Sequence, residues 1–254
     1  MALGQIAALY RYPVKGFSPE EIDQAELTAG AFFPCDRLFA IENGPSGFDP
    51  AAPGHISKQK FTVLARAAEL ARARTRFDDE SGDFEIELDG VTSIFSLADM
   101  DGREQFASFL SAQFGDQFAG PLKVLEGPDG HRFTDHHSGQ VSLLNLASVE
   151  AFSDALGQPV EASRFRMNVH LSGMAPWAED DWQPGNRLKL GGAVLEVLKP
   201  TKRCKATHAN PQTGIYDLNL VPELFRLFQR NTLGVYALVS EGGHIRPGDR
   251  LERA

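Results

Sequence analysis

Short strand-forming runs separated by turn residues recur along the whole chain, and they restrict the fold more than any other feature. The first, residues 5–12, ends at Pro13, and a later one, residues 37–42, runs into the turn-forming segment 43–47. Further strands are predicted over residues 22–27, 122–125, 141–144, 168–172, 187–190, 194–198 and 233–240. Many short strands with few helices indicate a mainly β, α+β fold with barrel-like architecture.

The clearest hairpin spans residues 71–88. Its first strand alternates small or apolar residues with three arginines, and its second alternates apolar residues with two glutamates. Period-two alternation places Arg72, Arg74 and Arg76 on one face of the first strand. The two glutamates also share one face of the returning strand, where they can pair with the arginines across the hairpin. Cross-strand pairs of opposite charge stabilise such a face by about 0.2–1 kcal/mol each. The arginine run therefore predicts a solvated, ion-paired face rather than an RNA-binding stripe.

Only three helices are predicted. One begins at a capping-box sequence in residues 101–104 and continues, with apolar residues at helical spacing, as far as Gly115. The other two span residues 148–157, which end in a glycine suited to a helix C-terminus, and residues 222–229, which place a proline in the first turn.

The length and the glycine-proline pairs predict two domains. The chain has 254 residues, of which 42% are hydrophobic and 23% charged, so it is long enough for two modest globular domains. Two Gly-Pro pairs mark residues 115–128 as a linker. We therefore expect one domain over residues 1–120 and a second over residues 121–254.

The acidic composition argues against several classes of partner. A net charge of -9 at pH 7 disfavours nonspecific binding to nucleic acid or to anionic membrane surfaces. No run of about 18 apolar residues occurs, and the first residues lack the basic region of a signal peptide. Cys35 and Cys204 are the only cysteines, a sparse usage that fits a reducing cytosol, although one disulfide between them stays open. We expect a cytoplasmic protein.

The second cysteine lies in a cationic neighbourhood. Lys202 and Arg203 precede Cys204, and such neighbours favour the thiolate, which attacks electrophiles and binds soft metals. Arg166 and Asn168 lie two apart on a predicted strand and so share a face, where a guanidinium fork suits phosphate. These residues together predict a cysteine-centred site for an anionic, heterocyclic ligand.

Three further residues have both a functional and an ordinary interpretation. Lys15, beside Gly16 after a predicted strand, can reach an anion or can be a surface lysine in a turn. Arg37 can bind the same anion or can pair locally with Asp36. His208, four residues after Cys204, can act as the base of a metal-free thiol enzyme or can be a surface histidine.

An ordered series of motifs runs through nearly the whole chain. It comprises Tyr12-Pro13-Val14-Lys15, Cys35-Asp36-Arg37-Leu38, Ser57-Lys58-Gln59, Phe165-Arg166-Met167-Asn168, Ser172-Gly173, Glu179-Asp180-Asp181-Trp182, Arg203-Cys204, Thr207, Asn210-Pro211 and Thr213-Gly214. This series resembles the MOSC-domain proteins, which share a domain with the C-terminus of molybdenum-cofactor sulfurases. Within them it is most similar to the two-part architecture of the mitochondrial amidoxime-reducing component and its bacterial relatives.

The resemblance implies a fold, a cofactor and a site. The fold is an N-terminal β-barrel module followed by a MOSC-type β-barrel domain, and the cofactor is molybdopterin-bound molybdenum. Cys204 would be the catalytic residue and bind the metal through sulfur. The residues implied to contact the pterin and its phosphate are Lys15, Arg37, Ser148, Arg166, Asn168, Arg203 and Thr207. The chain departs from the family at Gly16, where serine is usual, and at Met167, where proline is typical.

The function implied is reduction of N-hydroxylated or N-oxide substrates. Two cysteines cannot supply the four thiolates of an iron–sulfur cluster, so electrons would come from a separate ferredoxin or flavin reductase. The alternatives are a carrier of the cofactor or of sulfur without turnover of its own, and the metal-free thiol enzyme.

Overall fold

The computed structural model of the protein describes residues 2–136, 138 and 140–254, and these form fifteen strands and three α-helices. The helices are α1 (Met100–Phe114), α2 (Leu146–Leu156) and α3 (Leu220–Phe228). The strands are β1 (Ala2–Arg11), β2 (Glu20–Ile22), β3 (Ala25–Leu27), β4 (Phe39–Asn43), β5 (Arg74–Phe77), β6 (Asp83–Leu88), β7 (Val91–Ser96), β8 (Leu122–Glu126), β9 (Val141–Asn145), β10 (Val169–Ser172), β11 (Arg187–Leu190), β12 (Ala193–Lys202), β13 (Thr232–Glu241), β14 (Gly243–Ile245) and β15 (Arg250–Arg253). The expected mainly β fold with few helices is confirmed.

Seven strands close into a barrel. Their order is β10-β9-β13-β12-β11-β15-β1, and β1 pairs again with β10, while β2 extends β1 on the outside of this ring. Alternation in β11 buries Leu188 and Leu190 and exposes Arg187 and Lys189, so one face of the strand fills the barrel. The first strand of the chain therefore completes a barrel whose other six strands come from residues 141–253.

A second sheet, β5-β6-β7, packs against α1. Phe84 and Ile86 of β6 are fully buried, as are Phe106 and Leu110 of α1, and all four belong to one hydrophobic cluster. The phenyl rings of Phe84 and Phe106 meet edge to face with centroids 5.1 Å apart. This layer covers the side of the molecule that carries the loops after β1.

The predicted hairpin forms, but its first strand is shorter than predicted. Arg74 faces Glu87 and Arg76 faces Glu85, as the alternation predicts. Arg72, however, does not continue the strand, because residues Ala68–Arg72 form a 3-10 helix, and its guanidinium pairs with Asp89. A single strand predicted over residues 22–27 is also divided, into β2 and β3.

The linker predicted over residues 115–128 contains a strand. β8 pairs antiparallel with β4, with Phe39 opposite Glu126 and Asn43 opposite Leu122. A 3-10 helix, Gly115–Gln117, and short turns flank it, so the Gly-Pro pairs mark turns rather than a flexible connection. The division of the chain at residue 120 stays a prediction.

The helix boundaries follow their capping residues. Asp99 caps the start of α1, and its side chain accepts a hydrogen bond from the Gly102 backbone amide at 2.7 Å. This cap lies two residues before the predicted capping box. α2 ends at Gly157 in the left-handed region, as predicted. In the described part of the chain, no helix has the length and apolar character needed to cross a membrane.

We predict that Gly102→Ala destabilises the protein by about 3 kcal/mol, because a Cβ there would lie 2.0 Å from the Ser96 carbonyl oxygen, and α1 would have to move away from β7. Gly115→Ala, just past the other end of α1, is the matched control. Its Cβ would meet no atom within 4 Å, so its effect should stay within about 1 kcal/mol. Urea unfolding measures both, and equal effects would contradict the packing of α1 described above.

Candidate functional site

A cleft lies where the loops of the first half of the chain meet one end of the barrel. It is lined by the loop after β1, the loop before β4, the segment following α2, the end of β12 and Tyr236 of β13. Cys204 lies in this cleft, two residues after β12 ends. Both cysteines of the protein are free thiols, so the disulfide left open by the sequence does not form.

The cleft concentrates positive charge in an acidic protein. Among the described residues that line it, seven side chains are cationic and two are carboxylates, Asp36 and Asp135. The cations are Lys15, Arg37, Lys58, Arg164, Arg166, Lys202 and Arg203. Since the whole chain has a net charge of -9, this excess of positive charge is local. Such a cleft attracts an anionic ligand and holds it against a low-dielectric wall.

Arg37 and Arg166 are held together by a buried aromatic ring. Both guanidinium groups lie over the ring of Tyr12, at 4.4 and 4.5 Å from its centroid. Arg37 also pairs with Asp36 and donates a hydrogen bond to the Arg166 carbonyl oxygen at 3.0 Å. Burial raises the pKa of Tyr12 to about 12, so the ring is uncharged and serves as a cation–π platform.

Backbone strain fixes the direction of these two arginines. Arg37 has φ 50° and Arg166 has φ 55°, a left-handed conformation that is uncommon for residues with a Cβ. Arg166 follows a 3-10 helix, Ala162–Phe165, and donates a hydrogen bond to the Phe17 carbonyl oxygen at 2.5 Å. Strain of this kind persists where the surroundings over-determine a functional geometry.

Arg203 and Thr207 surround the cysteine. The Arg203 side chain is buried and donates to the carbonyl oxygens of Phe165 at 2.7 Å and Thr201 at 3.2 Å. Thr207 lies in the 3-10 helix Lys205–His208, and its hydroxyl donates to the Cys204 carbonyl oxygen at 3.0 Å. The Cys204 sulfur is therefore carried by a backbone turn that these hydrogen bonds hold in place.

A lysine pair meets Asp135 on the other wall. Lys15 Nζ donates to Asp135 Oδ1 at 2.5 Å and to the Phe133 carbonyl oxygen at 2.8 Å. Lys58 Nζ lies 2.9 Å from Asp135 Oδ2 and 3.4 Å from Cys204 Sγ. Burial acts to raise the pKa of Asp135, but the two ammonium groups outweigh it and hold that pKa well below its usual range.

The buried cations carry a desolvation cost. Burial, together with the neighbouring Arg37, lowers the pKa of Arg166 to about 10. Burial also lowers the pKa of Arg203, and it lowers that of Lys15 despite the adjacent Asp135. No carboxylate among the described residues forms an ion pair with Arg166 or Arg203. An anion bound between them would relieve this cost.

The structure brings most of the sequence-predicted residues to the cleft. Those lining it are Lys15, Arg37, Arg166, Asn168, Arg203, Cys204 and Thr207. Ser148 is not among them: it lies on α2, fully buried, donating to Glu179 Oε2 at 2.9 Å and accepting from the Trp177 amide at 2.8 Å. Its hydroxyl serves the packing of α2 instead.

The prediction that Arg166 and Asn168 share one face of a strand is wrong. The observed strand β10 begins at Val169, one residue later than predicted, so it contains neither Arg166 nor Asn168. Asn168 lines the cleft, but its Oδ1 accepts from the Ser142 hydroxyl at 2.7 Å and its Nδ2 donates to the Tyr10 carbonyl oxygen at 3.2 Å. Its amide therefore joins β1 to β9, and Arg166 is the residue with free donor capacity.

His208 is directed away from the thiol. Its Nε2 accepts a hydrogen bond from the Val221 backbone amide at 3.2 Å, at the start of α3, and it does not line the cleft. Burial and the neighbouring Lys205 and Arg164 lower its pKa. This arrangement does not provide Cys204 with a histidine base.

Several residues that line the cleft were not predicted from the sequence. Asp135 and Tyr236 have no cationic or motif context in the sequence, and Lys58 was noted only as part of a weak motif. Thr201 is 3% exposed, and its hydroxyl has no hydrogen-bond partner among the described residues. The alternation of β12, which ends two residues before Cys204, was the signal that could have pointed to Thr201.

Two departures from the family pattern have structural reasons. Gly16 has φ +96°, and a Cβ there would lie 2.7 Å from the Thr62 carbonyl oxygen, so a serine would not fit this backbone. Met167 is buried, and its Sδ lies 3.1 Å from Arg203 Nη2. The sulfur thus takes part in holding the guanidinium beside Cys204.

Sequence comparisons agree with this architecture. Residues 3–116 match the MOSC N-terminal beta barrel domain, and residues 129–252 match the MOSC domain. The chain therefore belongs to the MOSC-domain proteins that carry an N-terminal MOSC β-barrel domain. The resemblance inferred from the motifs is confirmed.

The individual relatives include an amidoxime-reducing component and a molybdenum cofactor sulfurase. Mitochondrial amidoxime-reducing component 1 of Mus musculus is 36% identical over 119 residues, which are 42% of this chain and 34% of the relative. A molybdenum cofactor sulfurase of Caenorhabditis elegans is 24% identical over 242 residues, which are 91% of this chain and 33% of the relative. The aligned region thus spans about a third of either relative. The YUAD protein from Bacillus subtilis superposes with a TM-score of 0.47 at 13% identity, covering 98% of this chain and 93% of that protein.

We predict that Tyr12→Leu destabilises the protein by about 3 kcal/mol, because it removes the ring beneath both guanidinium groups and leaves a cavity. Tyr12→Phe keeps the ring and loses only a 3.4 Å hydrogen bond to the Met167 carbonyl oxygen, so it should cost less than about 1 kcal/mol. Urea unfolding of both variants measures the difference. A Phe variant as unstable as the Leu variant would show that the hydroxyl, and not the ring, holds this wall.

Proposed function

We propose that the cleft binds the molybdenum cofactor, with Cys204 as the metal's protein ligand. The observation that carries this proposal is the convergence of buried, incompletely paired cations on a cysteine sulfur. A thiolate is a ligand suited to a soft or high-valent transition metal, and guanidinium groups suit phosphate. The family membership of the chain supports the same ligand.

The residues present fit this group. Arg166 and Arg203 have donor capacity that the protein does not use, and the buried Thr201 hydroxyl has no partner among the described residues. Unused buried donors of this kind are what a bound polar ligand would satisfy. We infer that Lys15, Arg37, Arg166 and Arg203 neutralise the phosphate and the anionic metal-binding end of the pterin.

The remaining protein groups hold the site in shape. Tyr12 keeps Arg37 and Arg166 side by side, and Thr207 fixes the backbone on which the sulfur is carried. Asp135 bonds to the ammonium groups of Lys15 and Lys58 and so holds both at the cleft. The wall residues Phe165 and Met167 limit water on the side of Arg203. Preorganised charges in a partly dry cleft need little rearrangement when a ligand arrives.

We further propose that the protein is a reductase of N-hydroxylated or N-oxide substrates. When bound, the cofactor supplies two-electron oxygen-atom transfer chemistry, while the protein provides binding, orientation and charge. The proposal is supported by the name of the amidoxime-reducing relative and by a cleft open to a small molecule. Electrons would come from a separate ferredoxin or flavin reductase.

We predict that the full chain, produced in a host that makes the cofactor, carries about one molybdenum per protein and that Cys204→Ser loses most of it. Cys35→Ser is the matched control and should retain the metal, because Cys35 does not line the cleft. Elemental mass spectrometry measures the metal content. Molybdenum retained in the Cys204 variant, or absent from the unaltered protein, would contradict the proposed site.

An assay of turnover distinguishes a reductase from a carrier of the cofactor or of sulfur. The loaded protein should oxidise a chemically reduced dye when an N-hydroxylated amidine or amine is added. Bound molybdenum without this oxidation would contradict the reductase and favour a carrier of the cofactor or of sulfur.

A further inference from the structure

The ammonium group of Lys58 occupies a specific position between two partners. Its Nζ lies 2.9 Å from Asp135 Oδ2 on one side and 3.4 Å from Cys204 Sγ on the other. The second oxygen of Asp135 is bound by Lys15, which also donates to the Phe133 carbonyl oxygen. Lys15 thus fixes the Asp135 carboxylate through Oδ1, which leaves Oδ2 to accept from Lys58.

The backbone that carries Lys58 is also anchored. Lys58 opens a 3-10 helix, Lys58–Lys60, whose preceding Ser57 hydroxyl accepts from the Gln59 amide at 3.4 Å. Phe61, which follows, is buried and bridges to Glu42 of β4. Lysine side chains are flexible and strongly hydrated, so a lysine held against a sulfur needs such anchors.

We propose that Asp135 and Lys58 are a positioning pair for Cys204. The Asp135 carboxylate holds the Lys58 ammonium against the sulfur, and the sulfur therefore faces a fixed positive charge. For the cofactor, which is the part that rests on the proposed function, this charge would stabilise an anionic metal group bound at the sulfur.

The pair is distinct from the remaining cations of the cleft. Arg203 is adjacent to Cys204 in sequence, yet its guanidinium is bonded to the Phe165 and Thr201 carbonyl oxygens and to Met167. Among the described residues, Lys58 is the cation whose side chain has a hydrogen-bond contact with the sulfur. It is also partly solvent-exposed, with 36% of its side chain accessible, so a ligand arriving at the sulfur meets it directly.

The charge at the sulfur can be measured without cofactor. In the full chain with Cys35→Ser, made in a host that lacks the cofactor, Cys204 is alkylated with iodoacetate and with iodoacetamide. Both reagents attack the thiolate, so the ratio of their rate constants does not depend on how much thiolate is present. The ratio instead reports the positive charge that the anionic reagent meets.

Lys58→Met should lower the iodoacetate-to-iodoacetamide ratio by about fivefold, the size expected for losing one charge a few ångströms away in wet surroundings. Lys58→Arg keeps the positive charge and should therefore keep most of the iodoacetate-to-iodoacetamide ratio of the unaltered chain. Lys60→Met, which removes an exposed lysine two residues away, should leave it unchanged. An unchanged ratio in Lys58→Met, or an equal drop in Lys60→Met, would overturn the proposal. Lys58→Gln replaces the Met variant if circular dichroism shows misfolding.

A double-mutant comparison tests the role of Asp135. If the carboxylate positions Lys58, then Lys58→Met should change the ratio much less in an Asp135→Asn background than in the unaltered one. An equal change in both backgrounds would show that Lys58 reaches the sulfur without Asp135, and would overturn the pair.

Molybdenum content links this pair to the cofactor. Lys58→Met should carry less metal than the unaltered chain or Lys60→Met when all are made in a cofactor-producing host. A lowered alkylation ratio with no molybdenum in any variant would leave the positioning pair standing and contradict the proposed function. A normal alkylation ratio with normal molybdenum content in Lys58→Met would contradict the positioning pair and leave the proposed function standing.

Discussion

The buried cations around Cys204 are the constraint on which the rest of the structure depends. Burying positive charge is costly, and the shift of the pKa of Arg166 to about 10 expresses that cost. The fold compensates with a neutral aromatic platform, backbone carbonyl oxygens and the carboxylates of Asp36 and Asp135. A protein with a net charge of -9 would not gather these groups for stability alone. The anionic ligand that we propose for the cleft would offset the remaining cost.

The barrel explains how residues distant in sequence reach one cleft. β1 lies beside β10, so the loop after β1 with Lys15 comes next to the segment before β10 with Arg166. β12 pairs with β13 and ends two residues before Cys204, so Cys204 and Tyr236 of β13 line the same cleft. The left-handed φ values of Arg37 and Arg166 then turn two side chains toward the same ring. Closure of the barrel by the first strand is therefore a condition for assembling the site.

Local pattern predicted local structure well. The alternation of arginine and glutamate predicted which side chains of β5 and β6 share a face, because period two is a property of the strand itself. It could not show that Arg72 belongs to a 3-10 helix, or that β8 pairs with β4, since both depend on tertiary packing. The site was predicted mainly through the family motifs. Ser148 lies outside the cleft, and the contact of Lys58 with Asp135, 77 residues away, had no local signal.

The position of the metal tests the central claim most directly. Crystals of the cofactor-loaded protein, measured with X-rays at the molybdenum absorption edge, would locate the metal by its anomalous scattering. We predict one peak within bonding distance of Cys204 Sγ, in the cleft lined by Arg166 and Arg203. A molybdenum peak elsewhere in the protein would contradict the account.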